Sequence, residues 1–303
     1  MLHFFISGAM RMRLIISVLV GLAIGSFTWL FLTRTQQHAA DFRWALHLTD
    51  RLLAHQNPYD TPDEQYPLPA AFFALPFLHL RLEVAAAAFY GISSFFLALG
   101  LTRNNYVRLR AFAAYPFWAG LLTVQWSPLI AASSFFPLLL PATMAKPQVG
   151  LPIFLTRLTR RGLLACIVVA ALSLIVLPQW PFLWLGQARY YEHFFPFLVF
   201  PGPLLLLALF RNRDRDAWLL LLSAVMPQRW FFDSFILWLI PKSRREFVFT
   251  IPFSWAAGIW RWYHFPVSFT QVGRVAVICF YLPMLAVVLL RPRFPIHESS
   301  PST

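Results

Sequence analysis

Long apolar runs alternate with short polar turns along the whole chain, and the first run sets the pattern. Residues 14–32 hold nineteen positions without a charge, enough helix at about 1.5 Å per residue to cross a hydrocarbon core of about 30 Å. Arg11 and Arg13 precede it, so its start is expected to stay in the cytoplasm. A signal peptide cut after Ala39-Ala40 is the competing assignment, but the run exceeds the usual apolar region of about 7–15 residues, which favours an uncleaved anchor. Next comes a polar interlude, 33–66, expected on the outer side. Between Asp41 and Gln56, Arg43, His47, Asp50 and Arg51 recur at helical spacing against Phe42, Ala45, Leu46, Leu52 and Leu53. This pattern predicts a helix lying along the membrane surface. Asn57-Pro58 should end it, because the residue before proline is pushed out of the α region.

The remaining runs, 67–290, predict further membrane helices. Residues 67–80 are short and proline-punctuated, as for a re-entrant or interfacial piece, and 83–101 are long enough to return. A rise through 111–126, a proline-broken dip through 127–145 and a descent from Lys146 to Arg161 follow. Residues 162–178 climb, 194–210 descend, and 217–240 read as a hairpin broken at Pro227. Residues 247–260 rise and 274–290 descend, leaving 291–303 as a cytoplasmic tail. On this topology sixteen of the 25 Lys and Arg fall in short cytoplasmic turns, as positive-inside orientation requires. Lys146, Arg189, Arg229 and Arg261 fall instead at outer helix ends, and an ionisable group at membrane depth usually faces a cavity or a functional site.

Composition agrees with this class: 59% of residues are apolar, 12% are charged and the mean hydropathy is +0.61. The fold expected is an all-α polytopic membrane protein, one integral domain across 1–303. The net charge of +13 is spread through turns rather than gathered on a polar domain, which argues against a nucleic-acid partner. Cys166 and Cys279 have no partner nearby in sequence and imply no disulfide framework. There is no Gly-rich phosphate loop, and the histidines show no metal-ligand spacing with a carboxylate, so no cofactor is expected, and a divalent metal stays open without support in the sequence.

Acids are scarce, and five of the twelve lie between 40 and 69. Asp41 has a plain explanation as a helix N-cap, and Asp50, Asp60, Asp63 and Glu64 as solvated charges. Trp126, Trp180, Trp184, Trp230 and Trp262 read mainly as an interfacial aromatic belt. His47, His55, His193 and His264 read as interfacial polar groups.

The order of features nevertheless resembles the GT-C membrane glycosyltransferases, in particular the family 87 branch of polyprenyl-phosphate-sugar-dependent mannosyltransferases. The matching pieces are Asp41 soon after the first helix; Arg51-Leu52-Leu53-Ala54 with Asn57-Pro58-Tyr59-Asp60; Tyr66-Pro67-Leu68-Pro69; Gln125-Trp126; and Ala145-Lys146-Pro147-Gln148. They span roughly residues 10–180. The stretch from Gln125 to Lys146 is shorter than that family's pattern, and so is the C-terminal end.

The resemblance implies a GT-C-like helical bundle in which Asp41 is the general base and Lys146 binds the donor phosphate. It makes Asn57, Tyr59, Gln125, Trp126 and Gln148 the substrate-binding candidates. Arg189, Arg229 and Arg261 join Lys146 as phosphate-binding candidates by topology alone, against a plain role in snorkelling to lipid headgroups. The implied activity is inverting transfer of mannose or a similar sugar from a polyprenyl-phosphate donor to a lipid, glycan or protein acceptor on the outer face. With no retention signal or organelle address in the sequence, a bacterial inner membrane is the expected location, the N-terminus cytoplasmic by Arg11 and Arg13. The alternative class is a transporter, flippase or non-catalytic membrane subunit handling an anionic lipid. The broken segments favour that alternative, and the lack of a visible inverted repeat opposes it.

Overall fold

The structure, a computed structural model, describes residues 7–60, 66–190 and 192–292. Among these the regular elements are helices, with one isolated bridge between Phe194 and Gln228. Asp63, Glu64 and the chain beyond Pro292 lie outside the described residues.

Helix α1 (Gly8–Thr35) is capped by the Ser7 hydroxyl, which accepts from the Met10 N–H. It encloses the predicted first run. Its apolar side chains point mostly outward: Leu19 and Leu22 are 60% and 63% exposed. Helix α2 (Ala40–Leu53) is the predicted amphipathic helix, burying Phe42, Ala45 and Leu48. It stops slightly before Asn57-Pro58. The short α3 (Pro69–Ala74) continues into a 3-10 turn at Leu75–Phe77, matching the short piece expected at 67–80.

Helix α4 (Leu82–Leu101) then runs back along α1. The two helices touch backbone to backbone: a Cβ on Gly91 would lie 2.8 Å from the Gly21 carbonyl oxygen and 3.1 Å from Gly25 Cα. Only glycine permits this approach. The Arg13 guanidinium donates to the Leu99 carbonyl at 3.0 Å, which fixes the start of α1 beside the end of α4.

The centre of the chain departs from the predicted crossings. Where one helix was expected over 111–126, a 3-10 segment at Tyr106–Ala113 leads into the seven-residue α5 (Tyr115–Leu121). The dip at 127–145 is α6 (Ser127–Ser133) and a 3-10 segment at Pro137–Met144. Then come α7 (Pro147–Arg157), α8 (Arg160–Val176) and α9 (Trp180–Ala188), the last two bent by 95° at their break. Proline stands at the start of α3, α5, α6, α7 and α9, where its fixed φ starts a helix and its missing N–H cannot continue one.

The expected descending helix over 194–210 is also absent. Pro196, Pro201 and Pro203 break it into turns and a 3-10 segment at Gly202–Arg211. Helix α10 (Arg215–Val225) and the 3-10 segment Phe231–Leu239 form the predicted hairpin, its ends tied by Lys242 to Asp216 at 2.5 Å. Helix α11 (Arg244–His264) opens on a capping box of Ser243 and Glu246. Finally α12 (Phe269–Ala276) and α13 (Leu282–Leu290) join through a π-turn into one continuous run.

Three of these stretches are long and apolar enough to cross a membrane: α1, α4 and Phe269–Leu290. The bent α8–α9 pair makes a fourth if it counts as one span. Helix α11 is long but is not among them; Arg244, Arg245, Glu246 and Arg261 charge its two ends. One buried apolar cluster, from Leu32 to Val288, holds the short central helices together.

Candidate functional site

The site forms where α1 ends and α2 begins. Gln36 and Ala39 turn the chain there at φ 53° and 45°. Asp41 follows in the first turn of α2, but it does not cap that helix. Ala39 holds the N-cap position without a side-chain bond, so the simple capping explanation for Asp41 fails. Its carboxylate accepts instead from the Tyr66 hydroxyl and from Gln125 Nε2, and its backbone N–H donates to the Thr123 carbonyl at 3.1 Å.

Gln125 is wholly buried and works in both directions. Its amide N–H2 also donates to Thr123 Oγ1 at 2.9 Å, while its carbonyl oxygen accepts from Lys146 Nζ at 2.6 Å. The residue before it, Val124, sits at φ 56°. A β-branched side chain in the left-handed region is strained by about 1–3 kcal/mol. The buried Val124 side chain holds the strained turn, together with the Gln125 N–H bonded to the Gly120 carbonyl at 2.9 Å.

Lys146, 5% exposed, is the N-cap residue of α7. Behind it Gly150 lets that helix press on the Pro137–Met144 segment, since a Cβ there would lie 2.1 Å from the Thr143 carbonyl oxygen. A buried ammonium needs compensating charge, and Lys146 has two carboxylates: Asp41 Oδ1 at 3.6 Å and Asp233 Oδ1 at 2.8 Å. The ammonium also lies 5.0 Å from the centre of the Phe232 ring. Asp233 is fully buried in the Phe231–Leu239 segment, and its Oδ2 accepts from the Arg229 backbone N–H at 3.0 Å.

These groups surround a cavity of about 240 Å³. Asp41, Lys146, Gln148 and Arg229 contribute its charged and amide lining, with Trp44, Tyr66, Trp230 and Phe232 as aromatic walls. Asp233 stands behind Lys146 and is not among the lining residues, so two cations and one carboxylate face the space. The Asp41 side chain keeps 20% of its surface exposed. Such an arrangement can orient a hydroxyl at Asp41 and hold an anion against Lys146 and Arg229.

Five predicted site residues thus belong to this centre: Asp41, Gln125, Lys146, Gln148 and Arg229. The others do not line it. Trp126 is fully buried within rings of Phe42, Phe73, Phe89 and Tyr66, so it supports the Asp41 loop from behind and presents no face to a substrate. Asn57 closes a turn, accepting from the Tyr59 N–H at 3.1 Å and donating to Asp60 at 2.6 Å. Tyr59 is buried and donates to the Tyr66 carbonyl at 3.0 Å, anchoring the backbone at Tyr66. Arg261 stacks on Trp230 at 4.8 Å, one layer back from the cavity. Arg189 is exposed beside Tyr190, away from the site.

Sequence reasoning missed Asp233 and the role of Tyr66. A lone acid inside the apolar stretch 217–240 was the available signal for Asp233, because intramembrane carboxylates are costly and usually paired. Compared with protein-family models, with curated proteins and with solved structures, the chain finds no match in any of the three.

Proposed function

We propose that the chain is a polytopic membrane glycosyltransferase of the inverting, polyprenyl-phosphate-dependent kind, with its site at the Asp41 end. The observation that carries the reading is the meeting of Asp41 and Lys146, 105 positions apart in sequence, across one small cavity. In this mechanism an acceptor hydroxyl attacks the anomeric carbon of the donor sugar, Asp41 takes the hydroxyl proton, and the bond to the phosphate oxygen breaks with its electron pair. The departing phosphate is met by Lys146 and Arg229, placed where negative charge develops. Proton transfer to a positioned carboxylate is typically worth about 10²–10⁴-fold.

One feature supports the polyprenyl part. A second cavity of about 360 Å³ is lined by Pro67, Met144, Pro147, Leu151, Phe154 and Trp180, among others. It shares Pro67 with the polar cavity and begins one residue past Lys146, so a phosphate at Lys146 would have an apolar channel for its chain. Occupation of the polar cavity would part Lys146 from Asp41. Asp233, at 2.8 Å on the buried side, keeps the ammonium paired when that contact opens. The concentration of Arg and Lys at the opposite end of α1 supports an outward-facing site in a plasma membrane.

The test is reconstitution with radiolabelled polyprenyl-phosphate mannose and other polyprenyl-phosphate sugars, comparing wild type with Asp41→Asn, Asp50→Asn and Lys146→Ala. Transfer is expected in wild type and in Asp50→Asn, whose target lies exposed on α2, and is expected to fall at least a hundredfold in Asp41→Asn. Full transfer by Asp41→Asn sinks the assignment. Absence of transfer with every donor, together with movement of the lipid across the bilayer, would favour a flippase; the broken central segments around the same cavity suit that reading.

A further inference from the structure

At the other end of α1 the chain builds a different kind of cavity. It encloses about 410 Å³ between the end of α4, the 3-10 segment after it, the end of α7 and the approach to α11. Four cationic side chains line it, Arg103, Arg108, Arg157 and Lys242, and no carboxylate does. Like charges gathered around one space repel each other unless an anion joins them.

Three of the four cations are held in place. Arg157 and Lys242 are bound through Asp216 at 3.2 and 2.5 Å. Arg108 donates to the Leu239 carbonyl at 2.8 Å and lies 5.5 Å from the centre of the Phe135 ring. Arg103, exposed, stands at the rim and makes no ion pair among the described residues.

A ligand that combines negative charge with several acceptor oxygens relieves that repulsion, and phosphate supplies both. The cavity also lies at the end of a helix apolar enough to span a membrane, the depth of a lipid headgroup.

The geometry points to a phosphate-binding site here, recognising a phosphate mono- or diester such as the headgroup of an anionic phospholipid, separate from the Asp41 centre. Recognition needs Arg103 and Arg108 together with the Asp216-tethered pair. It requires neither Asp41 nor Lys146, so it stands whether or not the chain transfers sugar.

Native mass spectrometry of the detergent-solubilised full chain tests this, with phosphatidylglycerol, phosphatidylcholine and inorganic phosphate as separate probes. Wild type should retain phosphatidylglycerol over phosphatidylcholine. Arg103→Gln should weaken that retention roughly fivefold, the usual effect of one interfacial basic residue, and Arg108→Gln by at least as much. Arg34→Gln, an exposed cation at the far end of α1, should leave it unchanged. Binding of phosphatidylglycerol with no competition from millimolar inorganic phosphate assigns the site to a lipid. Binding of inorganic phosphate alone, lost in Arg103→Gln, assigns it to a soluble phosphate ester. Equal losses in Arg34→Gln and Arg103→Gln, or no loss in either Arg103→Gln or Arg108→Gln, would reduce the cluster to general basic charge and overturn the proposal.

Discussion

Two carboxylates, one buried and one lining a cavity, divide this molecule. Asp216, 1% exposed, is surrounded by Arg157, Lys242 and Arg291 at 2.5–3.2 Å, and Arg291 is bound in turn to Glu246 at 2.9 Å. Asp41 keeps only one cation, at 3.6 Å, and shares it with Asp233. The first cluster fastens the end of α7, the start of α10, the start of α11 and the end of α13 to one another. The second leaves a carboxylate on the wall of a cavity, oriented by a phenol and an amide. Saturated charge locks segments together, and incompletely paired charge at a cavity is what chemistry can use.

Substitution should separate the two most sharply. Removing the Asp216 charge leaves three cations facing one another, and breaking such a buried pair typically costs about 3–5 kcal/mol. Asp216→Asn should therefore unfold at markedly lower temperature, followed by tryptophan fluorescence in detergent. If the proposed transferase reading holds, Asp41→Asn should lose transfer while its melting temperature stays close to wild type, because an amide still accepts from Tyr66 and Lys146 retains Asp233. Equal destabilisation by both variants would erase the distinction between the two carboxylates.

Asp233 lies between these cases. It is fully buried like Asp216, yet its ammonium has a second carboxylate and the Gln125 carbonyl as partners. Asp233→Asn should cost less, about 1–3 kcal/mol, and, on the proposed function, should also weaken the hold on a donor phosphate by leaving Lys146 tied to Asp41. A rise in KM for the donor exceeding the fall in kcat would show this positioning role. A variant as unstable as Asp216→Asn would place Asp233 with the structural lock instead.

The parts of this contrast differed in how plainly the sequence carried them. Helices α1, α2 and α4 follow from run length and 3.6-residue periodicity, and each structural helix contains most of its predicted stretch. Asp41, Gln125 and Lys146 were marked by their motifs, and the structure brings the three side chains into contact. Motifs give a neighbourhood and not a direction, however. Trp126 beside Gln125, and Tyr59 and Asn57 beside the acid-rich loop, turned inward to pack and to close turns. The 194–210 run misled because apolar composition alone does not distinguish a crossing helix from proline-broken 3-10 turns. Asp233 stayed hidden because nothing local announces a partner 87 residues upstream.

The smallest expected effect is also the most specific to Asp216. Burial raises its carboxyl, but Lys242 and Arg291 beside it outweigh that and hold it below the ordinary carboxylate range. A carboxyl lowered on folding stabilises the native state above its unfolded value of about 3.9, and that contribution is lost as pH falls through the lower folded value. Between pH 8 and 5 the stability gap between wild type and Asp216→Asn should therefore be flat. At pH 4 Asp216 should have surrendered no more than roughly 0.4 kcal/mol of it, since the folded state still holds the charge while about half of the unfolded chains bind a proton. Further acidification should keep narrowing the gap as the folded carboxyl itself protonates. Melting curves of both proteins from pH 8 to pH 3, read as a difference, remove the acids that they share. A gap that widened on acidification would mean that Asp216 is held protonated in the folded chain, and the three cations around it would then have to be balanced by a bound anion.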